Sequence, residues 1–354
     1  MEMIKLGDLC YPSRGQIKER PDTIIDYIDI SAIDNNSKTI SGYQTMAFGE
    51  APSRARKAVE KGNILVSTVR PNLNAIAILE ADTPNMTVAS TGFCVLECKE
   101  SVDKRFVFNY CKSKAFIDEL VSQATGASYP AVSDKIVREA PVPRYSYVEQ
   151  KRIGETLDKA CLIIQKRKSQ LADLDDLIKA RFVEMFGDPI SNTKQLETDY
   201  LKDVLVLKAG DFTSASDISE EPSTLKKYPC YGGNGIRGYV AEYNHEGDYS
   251  LIGRQGALSG NVQYATGRFK NTEHALLVSP SIPMNSIWLN KLLINLDLKR
   301  YQTGAAQPGL SVKNLQEIKI ISVPLEEQNK YASFVSQVDK SKSAIQRPLI
   351  RQSS

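Results

Sequence analysis

One stretch of this chain returns farther along it, and that return restricts the fold to a doubled architecture. Thr125-Gly126-Ala127-Ser128-Tyr129-Pro130-Ala131-Val132-Ser133-Asp134-Lys135 is answered by Thr303-Gly304-Ala305-Ala306-Gln307-Pro308-Gly309-Leu310-Ser311-Val312-Lys313, 178 residues on. Glu149-Gln150 returns as Glu327-Gln328 at the same offset, following Val142-Pro143 in the first half and Val323-Pro324 in the second. Two matches in one register define an internal duplication. Upstream of each Thr-Gly-Ala lies an apolar stretch with helical spacing, 106–121 and 287–298. Before these come short apolar runs broken by turn residues, such as Asn63-Ile64-Leu65-Val66 and Tyr249-Ser250-Leu251-Ile252. The expected fold is α+β: two tandem domains of mixed β structure with short helices.

Between the repeats the pattern changes to a single long helix. Ser146-Tyr147-Val148-Glu149 has the form of a capping box. Leu157, Ile164, Leu171, Ile178 and Met185 then follow at seven-residue spacing, with Ile153, Ala160 and Leu174 on companion positions, which predicts a coiled-coil seam. Gly187 supplies the left-handed stop and Pro189 prevents resumption. A helix over 149–186 would span roughly 57 Å, more than one turn of a DNA duplex, about 34 Å. Its apolar stripe requires a partner helix. The intramolecular candidate begins at Glu327-Gln328 and carries Tyr331, Phe334, Val335 and Val338 in helical register, but Pro348 is expected to end it after about 20 residues. The expected division is therefore a first domain 1–145, a spacer helix 146–187, a second domain 188–325, and a shortened helix with its tail, 326–354.

Several functions are disfavoured by what the 354 residues lack. Hydrophobic residues make up 42% and charged residues 25%, the composition of a globular chain. No apolar run reaches bilayer length and no secretion signal is read at the start, so a cytoplasmic protein with reduced cysteines and no membrane contact is expected. The six cysteines form no Cys-x-x-Cys pair and there are only two histidines, His245 and His274; no metal site and no cofactor are expected. Gly233-Asn234-Gly235-Ile236-Arg237-Gly238 spells a dinucleotide fingerprint, yet Tyr228-Pro229 precedes it and the β-prone Tyr239-Val240 follows, so a glycine-rich hairpin is expected instead. The loop that holds a flipped base in amino-methyltransferases needs Pro-Pro, which is absent, as is any Gly-Lys-Ser/Thr of a phosphate loop.

Three motif groups, in order, resemble the specificity subunits of type I restriction-modification systems across nearly the whole chain. They are Arg181-Phe182-Val183-Glu184-Met185-Phe186-Gly187-Asp188-Pro189, then Tyr231-Gly232-Gly233-Asn234-Gly235-Ile236-Arg237-Gly238-Tyr239 with Leu251-Ile252-Gly253-Arg254-Gln255-Gly256, then Val323-Pro324-Leu325-Glu326-Glu327-Gln328. The resemblance implies two target-recognition domains alternating with two helical regions, and a protein without catalysis of its own. It also implies double-stranded DNA as ligand, one half of a bipartite site per domain, and docking to two methyltransferase subunits and to restriction subunits. The short second helix departs from the family layout. A protein-binding coiled-coil scaffold, and a self-contained DNA methyltransferase or nuclease, are the alternatives.

Candidate DNA contacts follow from side-chain chemistry. Arginine can pair with both acceptors of guanine, and asparagine or glutamine with adenine. This singles out Arg70, Asn72 and Asn74 in the loop after one strand, and Arg254 and Gln255 after the corresponding strand of the second half. His274, Tyr129 and Gln307 are further candidates, the last two at equivalent positions of the Thr-Gly-Ala loops. Net charge is only +3, so the phosphate-neutralising candidates are local: Arg54, Arg56 and Lys57. The subunit interface is expected along Leu157, Ile164, Leu171, Leu174, Ile178 and Met185.

Overall fold

The computed structural model describes residues 2–18, 20–256, 258–303 and 309–350, and the chain divides into two compact units, 1–165 and 166–354. The cut falls inside the long helix.

Unit 1 is built on two sheets. Strands Gln44–Ala47, Ile24–Ile28, Met86–Ser90 and Ala55–Ala58 lie in that order, with Ile24–Ile28 and Met86–Ser90 parallel and the outer pairs antiparallel. Phe93–Leu96, Ile64–Ser67 and Ile76–Ile78 form an antiparallel three-stranded sheet. All four residues of Ile64–Ser67 are buried, which explains a run of apolar residues without alternation. Ile64 and Val66 face the helices Lys104–Cys111 and Lys114–Ser122 in a cluster with Phe106, Phe116 and Leu120. Leu65 points the other way, to Ile28, Ala77 and Phe93.

Unit 2 repeats the plan. Leu205–Ala209, Ala275–Pro280, Tyr249–Gly253 and Val262–Ala265 form one antiparallel sheet. In the other, Gly235–Val240, Tyr228–Gly232, Arg268–Asn271 and His245–Glu246 lie in order, with one parallel pair, Tyr228–Gly232 with Arg268–Asn271, as in unit 1. A short antiparallel pair ties the two ends of each domain together: Met3–Lys5 with Pro141–Pro143, and Thr198–Tyr200 with Lys319–Ile321. The two tandem α+β domains expected from the duplication are present.

The repeated glutamine has one job in both units. Gln150 and Gln328 are each 4% exposed. Gln150 Nε2 donates to Tyr145 O at 2.9 Å while its Oε1 accepts from Asp103 N at 3.0 Å. Gln328 Nε2 donates to Val323 O at 2.8 Å and its Oε1 accepts from Asn285 N at 2.9 Å. Asp103 and Asn285 are themselves the caps of the helices Lys104–Cys111 and Ser286–Asn295, accepting from Phe106 N and from Ile287 N and Trp288 N. One carboxamide thus fastens the domain's packing helix to the first turn of a long helix, using its amide N–H as donor and its oxygen as acceptor.

The long helix runs Tyr147–Phe186, 40 residues. The capping box closes as expected, with Ser146 N donating to Glu149 Oε2 at 2.8 Å and Glu149 N to Ser146 Oγ at 3.4 Å. Gly187 takes φ +78° and its N–H bonds Val183 O at 2.8 Å. The seam is covered unevenly. In unit 2, Ile178 is buried, and Leu174 and Met185 pack on the same core, where Tyr331, Val335 and Val338 of the closing helix Leu325–Ile350 meet it. Tyr331 Oη donates to Ile178 O at 3.1 Å, and its ring stands edge-on to Phe182 and Phe186. Ile164 and Leu171 are half-buried, whereas Leu157 is 42% exposed. The closing helix exceeds its expected length: at 26 residues it carries Pro348 within its last turn, where a missing N–H forfeits a single intrahelical bond.

Gln150→Ala and Gln328→Ala are each expected to remove about 1–3 kcal/mol of stability through loss of both hydrogen bonds of a buried carboxamide, measured by urea unfolding. Leu157→Ala, on the exposed part of the seam, is expected to cost under about 1 kcal/mol in the same assay.

Candidate nucleic-acid interface

In unit 1 the chain leaving Ile64–Ser67 is stitched to the Thr-Gly-Ala loop. Thr125 and Ala131 exchange two backbone hydrogen bonds of 3.0 and 2.9 Å, closing the loop on itself. Val69 bridges Ala131, Arg70 N donates to Pro130 O at 2.7 Å, and Val132 N to Thr68 O at 2.9 Å. Gly126, at φ +101°, is required here, because a Cβ would sit 2.8 Å from Tyr129 O. The consequence is a fixed pair of side chains: the Arg70 guanidinium lies 4.4 Å above the Tyr129 ring, whose residue is 68% exposed.

Arg70 itself adopts φ +49°, ψ +59°, the left-handed region, which costs a non-glycine residue about 1–2 kcal/mol. Asn72 and Leu73 ride exposed on the single turn Pro71–Leu73 that follows. Asn74 is placed differently. Its Nδ2 donates to Lys112 O at 3.1 Å and its own carbonyl accepts from Lys38 Nζ, so it anchors the loop inward. The three cations proposed for phosphate are likewise engaged within unit 1. Arg54 bonds Tyr27 Oη and pairs with Asp29, contacts that raise its pKa in that order. Arg56 Nη1 donates to Ala55 O at 2.7 Å with its guanidinium over Phe48, and Lys57 is 9% exposed and ion-paired with Asp134.

Unit 2 repeats the stitching. Thr303 and Gly309 exchange backbone hydrogen bonds of 2.9 Å each, Gln255 bridges Gly309, and Leu310 N donates to Arg254 O at 2.9 Å. Arg254 is half-buried and Gln255 exposed. His274 joins them: its O accepts from Arg254 N at 3.1 Å and its Nδ1 lies 2.8 Å from Gln255 Oε1. Gln307 lies outside the described residues.

The glycine-rich motif is a hairpin, Tyr228–Gly232 against Gly235–Val240, as expected. Its glycines serve close approach: a Cβ on Gly253 would meet Gly233 O at 2.2 Å, and one on Gly233 would meet His274 O at 3.2 Å. The tip thereby carries the exposed Asn234, tied to Asn261 at 2.9 Å, to the loop that holds Arg254 and Gln255. Asn234 was not among the residues expected from side-chain chemistry; its place between the glycines at a turn was the available signal. Among the described residues no group of three or more His, Cys, Asp or Glu is placed to hold a metal ion, and no helix is long and apolar enough to cross a membrane.

Two repeated α+β domains, each with an arginine-bearing loop hydrogen-bonded to a second loop, define a tandem-repeat protein. The family model described as type I restriction modification DNA specificity domain matches twice, over residues 1–173 and 194–352. The EcoprrI type I restriction enzyme specificity subunit of Escherichia coli is 33% identical over 315 residues, covering 85% of this chain and 77% of that one. A putative type I specificity subunit of Mycoplasma pneumoniae is 26% identical over 149 residues, covering 41% and 48%. Among solved structures, the type I S subunit of M. genitalium superposes with TM-score 0.62 at 18% identity, over 99% of this chain and 92% of that one. A chain solved in a study of complex assembly and conformational transition of the type I R-M system gives TM-score 0.60 at 23% identity, over 99% and 93%. The chain belongs to the specificity subunits of type I restriction-modification systems, and its role is non-catalytic.

Arg70→Gly is expected to leave stability unchanged or raise it by up to about 1–2 kcal/mol, by releasing left-handed strain. Lys57→Ala is expected to cost about 1–3 kcal/mol through the orphaned Asp134. Thermal unfolding of the two variants beside the native chain separates the loop arginine from the structural lysine.

Proposed function

We propose that each unit reads one half of a bipartite double-stranded DNA site, with the paired loops as the reading surface. The observation that carries this is the recurrence of one backbone arrangement: in both units the strand-end loop bearing an arginine is hydrogen-bonded to the Thr-Gly-Ala loop. Arg70, stacked on Tyr129, offers a guanidinium whose orientation is settled before DNA arrives, and a bidentate arginine suits guanine O6 and N7. Asn72 extends the same surface in unit 1. Arg254, Gln255, His274 and Asn234 are the corresponding set in unit 2.

With a net charge of +3 and with Arg54, Arg56 and Lys57 engaged by neighbouring groups, this cluster supplies little of the phosphate binding that dominates affinity for DNA. The remainder is assigned to the subunits it docks, two copies of a methyltransferase together with restriction subunits. Apolar residues left exposed on the long helix, Leu157, Leu162 and Ile163, are the docking surface this reading assigns to them.

Mapping methylated sites across the genome of a host expressing the chain with its methyltransferase tests the reading. A split recognition sequence is expected; methylation without one would refute it. Replacing residues 1–145 with those of a relative is expected to change one half-site and spare the other. Arg70→Ala should relax one base position in that first half by roughly five- to hundredfold in discrimination, while Lys57→Ala leaves the sequence read unchanged.

A further inference from the structure

Four of the six cysteines gather in unit 1. Cys10, Cys94 and Cys111 are buried in the cluster between the three-stranded sheet and its helices, and Cys98 packs against it; all are free thiols. Two of them face each other. Cys10, just after the turn Leu6–Leu9, forms an antiparallel bridge with Cys98, just after the strand Phe93–Leu96. The backbone bonds lie on either side of the pair, Tyr11 N to Glu97 O at 2.8 Å and Lys99 N to Leu9 O at 3.0 Å. This is the pattern of a non-hydrogen-bonded pair, whose side chains share one face and whose Cα atoms lie about 4.5 Å apart, inside the span of about 4.4–6.8 Å that a disulfide bridges. The other two core cysteines have no such counterpart: Cys94 stands opposite Val66, and Cys111 ends a helix.

The surroundings also distinguish Cys10. A hydrogen bond from the Cys98 thiol lowers its pKa against the opposing effect of burial, and Arg138 and Lys99 add positive charge. Both cations are tethered beside it, Arg138 Nη1 donating to Tyr11 O at 2.9 Å and Lys99 Nζ to Asp8 O at 2.8 Å. Burial instead pushes the Cys94 thiol up to about 12 and that of Cys111 well above the usual thiol range. Cys98 is half-buried, so a small oxidant has an approach to the pair.

We propose that Cys10 and Cys98 are a modification site, a dithiol that a two-electron oxidant such as hydrogen peroxide closes to a disulfide with the strands in place. A thiolate sulfur attacks one peroxide oxygen and the O–O bond breaks, giving a sulfenic acid and, after protonation, water. The second sulfur attacks the first, the S–S bond forms, and the hydroxyl leaves as a second water, which takes up the remaining thiol proton. A thiol reductant reverses the change by exchange. The bridge fastens the start of the chain to the segment that leads into Asp103, the cap held by Gln150.

The test is peptide mapping of the folded full chain after exposure to hydrogen peroxide. Free thiols are blocked, and the chain is cut with trypsin and a glutamate-specific protease, which cleaves after Glu97 and so separates Cys94 from Cys98. The expected product joins the Cys10 peptide to the Cys98 peptide, about 2 Da lighter than the two thiol peptides together, and dithiothreitol separates them. Cys161, exposed on the long helix, is expected outside the link, and Cys98→Ser to leave Cys10 unlinked. Cys10 joined to Cys94 or Cys111, in the native chain or in Cys98→Ser, overturns the proposal. So do Cys10 and Cys98 that stay open to the blocking reagent, sulfinic or sulfonic acid in place of the link, and a link that forms only when peroxide is added in urea.

Discussion

The buried carboxamide of Gln150, and its copy at Gln328, is the interaction on which the architecture turns. Each unit attaches a sheet domain to a long helix through this buried side chain, which bonds two backbone groups at once: a carbonyl five residues back and the N–H of a helix cap. Glutamate could accept but not donate, and leucine could do neither. The cap residue it secures, Asp103 or Asn285, starts the helix that packs against the strands.

The second constraint is aromatic. Phe182 and Phe186 leave the long helix on one face and meet Tyr331 and Trp288, with ring centroids 5.1 to 6.2 Å apart and steep interplanar angles. This cluster closes unit 2 over the last turns of the helix. The Tyr331 hydroxyl adds a hydrogen bond to the helix backbone, and the Lys342–Asp175 ion pair lies along the same junction. Toward its first half the helix lacks such cover among the described residues, and apolar side chains remain accessible there.

Much of this was legible in the sequence because it is written in period and register. The fixed offset between repeats, the Ser146–Glu149 box, the Gly187 stop and the hairpin reading of Gly233–Gly238 all concern backbone conformation, which local residues dictate. The heptads located the helix but not what covers it: Leu157 and Ile178 occupy equivalent seam positions, yet one is open and the other buried. The packing of Phe182 and Phe186 was missed for the same reason, since it depends on residues 100 or more positions distant. Side-chain roles were the least legible. Asn72 and Asn74 look alike in sequence, but the left-handed backbone at Asn74 turns its amide onto Lys112 O. Arg54 and Lys57 read as a basic patch until Asp29 and Asp134, brought in from other elements, claim them.

The claim that the two loop pairs address different halves of one DNA site is tested most directly by photo-crosslinking. A benzophenone side chain placed at Tyr129 or at Gln255, in the chain assembled with its methyltransferase on a duplex carrying the recognised sequence, reports which bases lie against each loop. Crosslinks from Tyr129 confined to one half-site and from Gln255 confined to the other are the expected result. Crosslinks from both positions to the same half, or only to DNA outside the recognised bases, would contradict it.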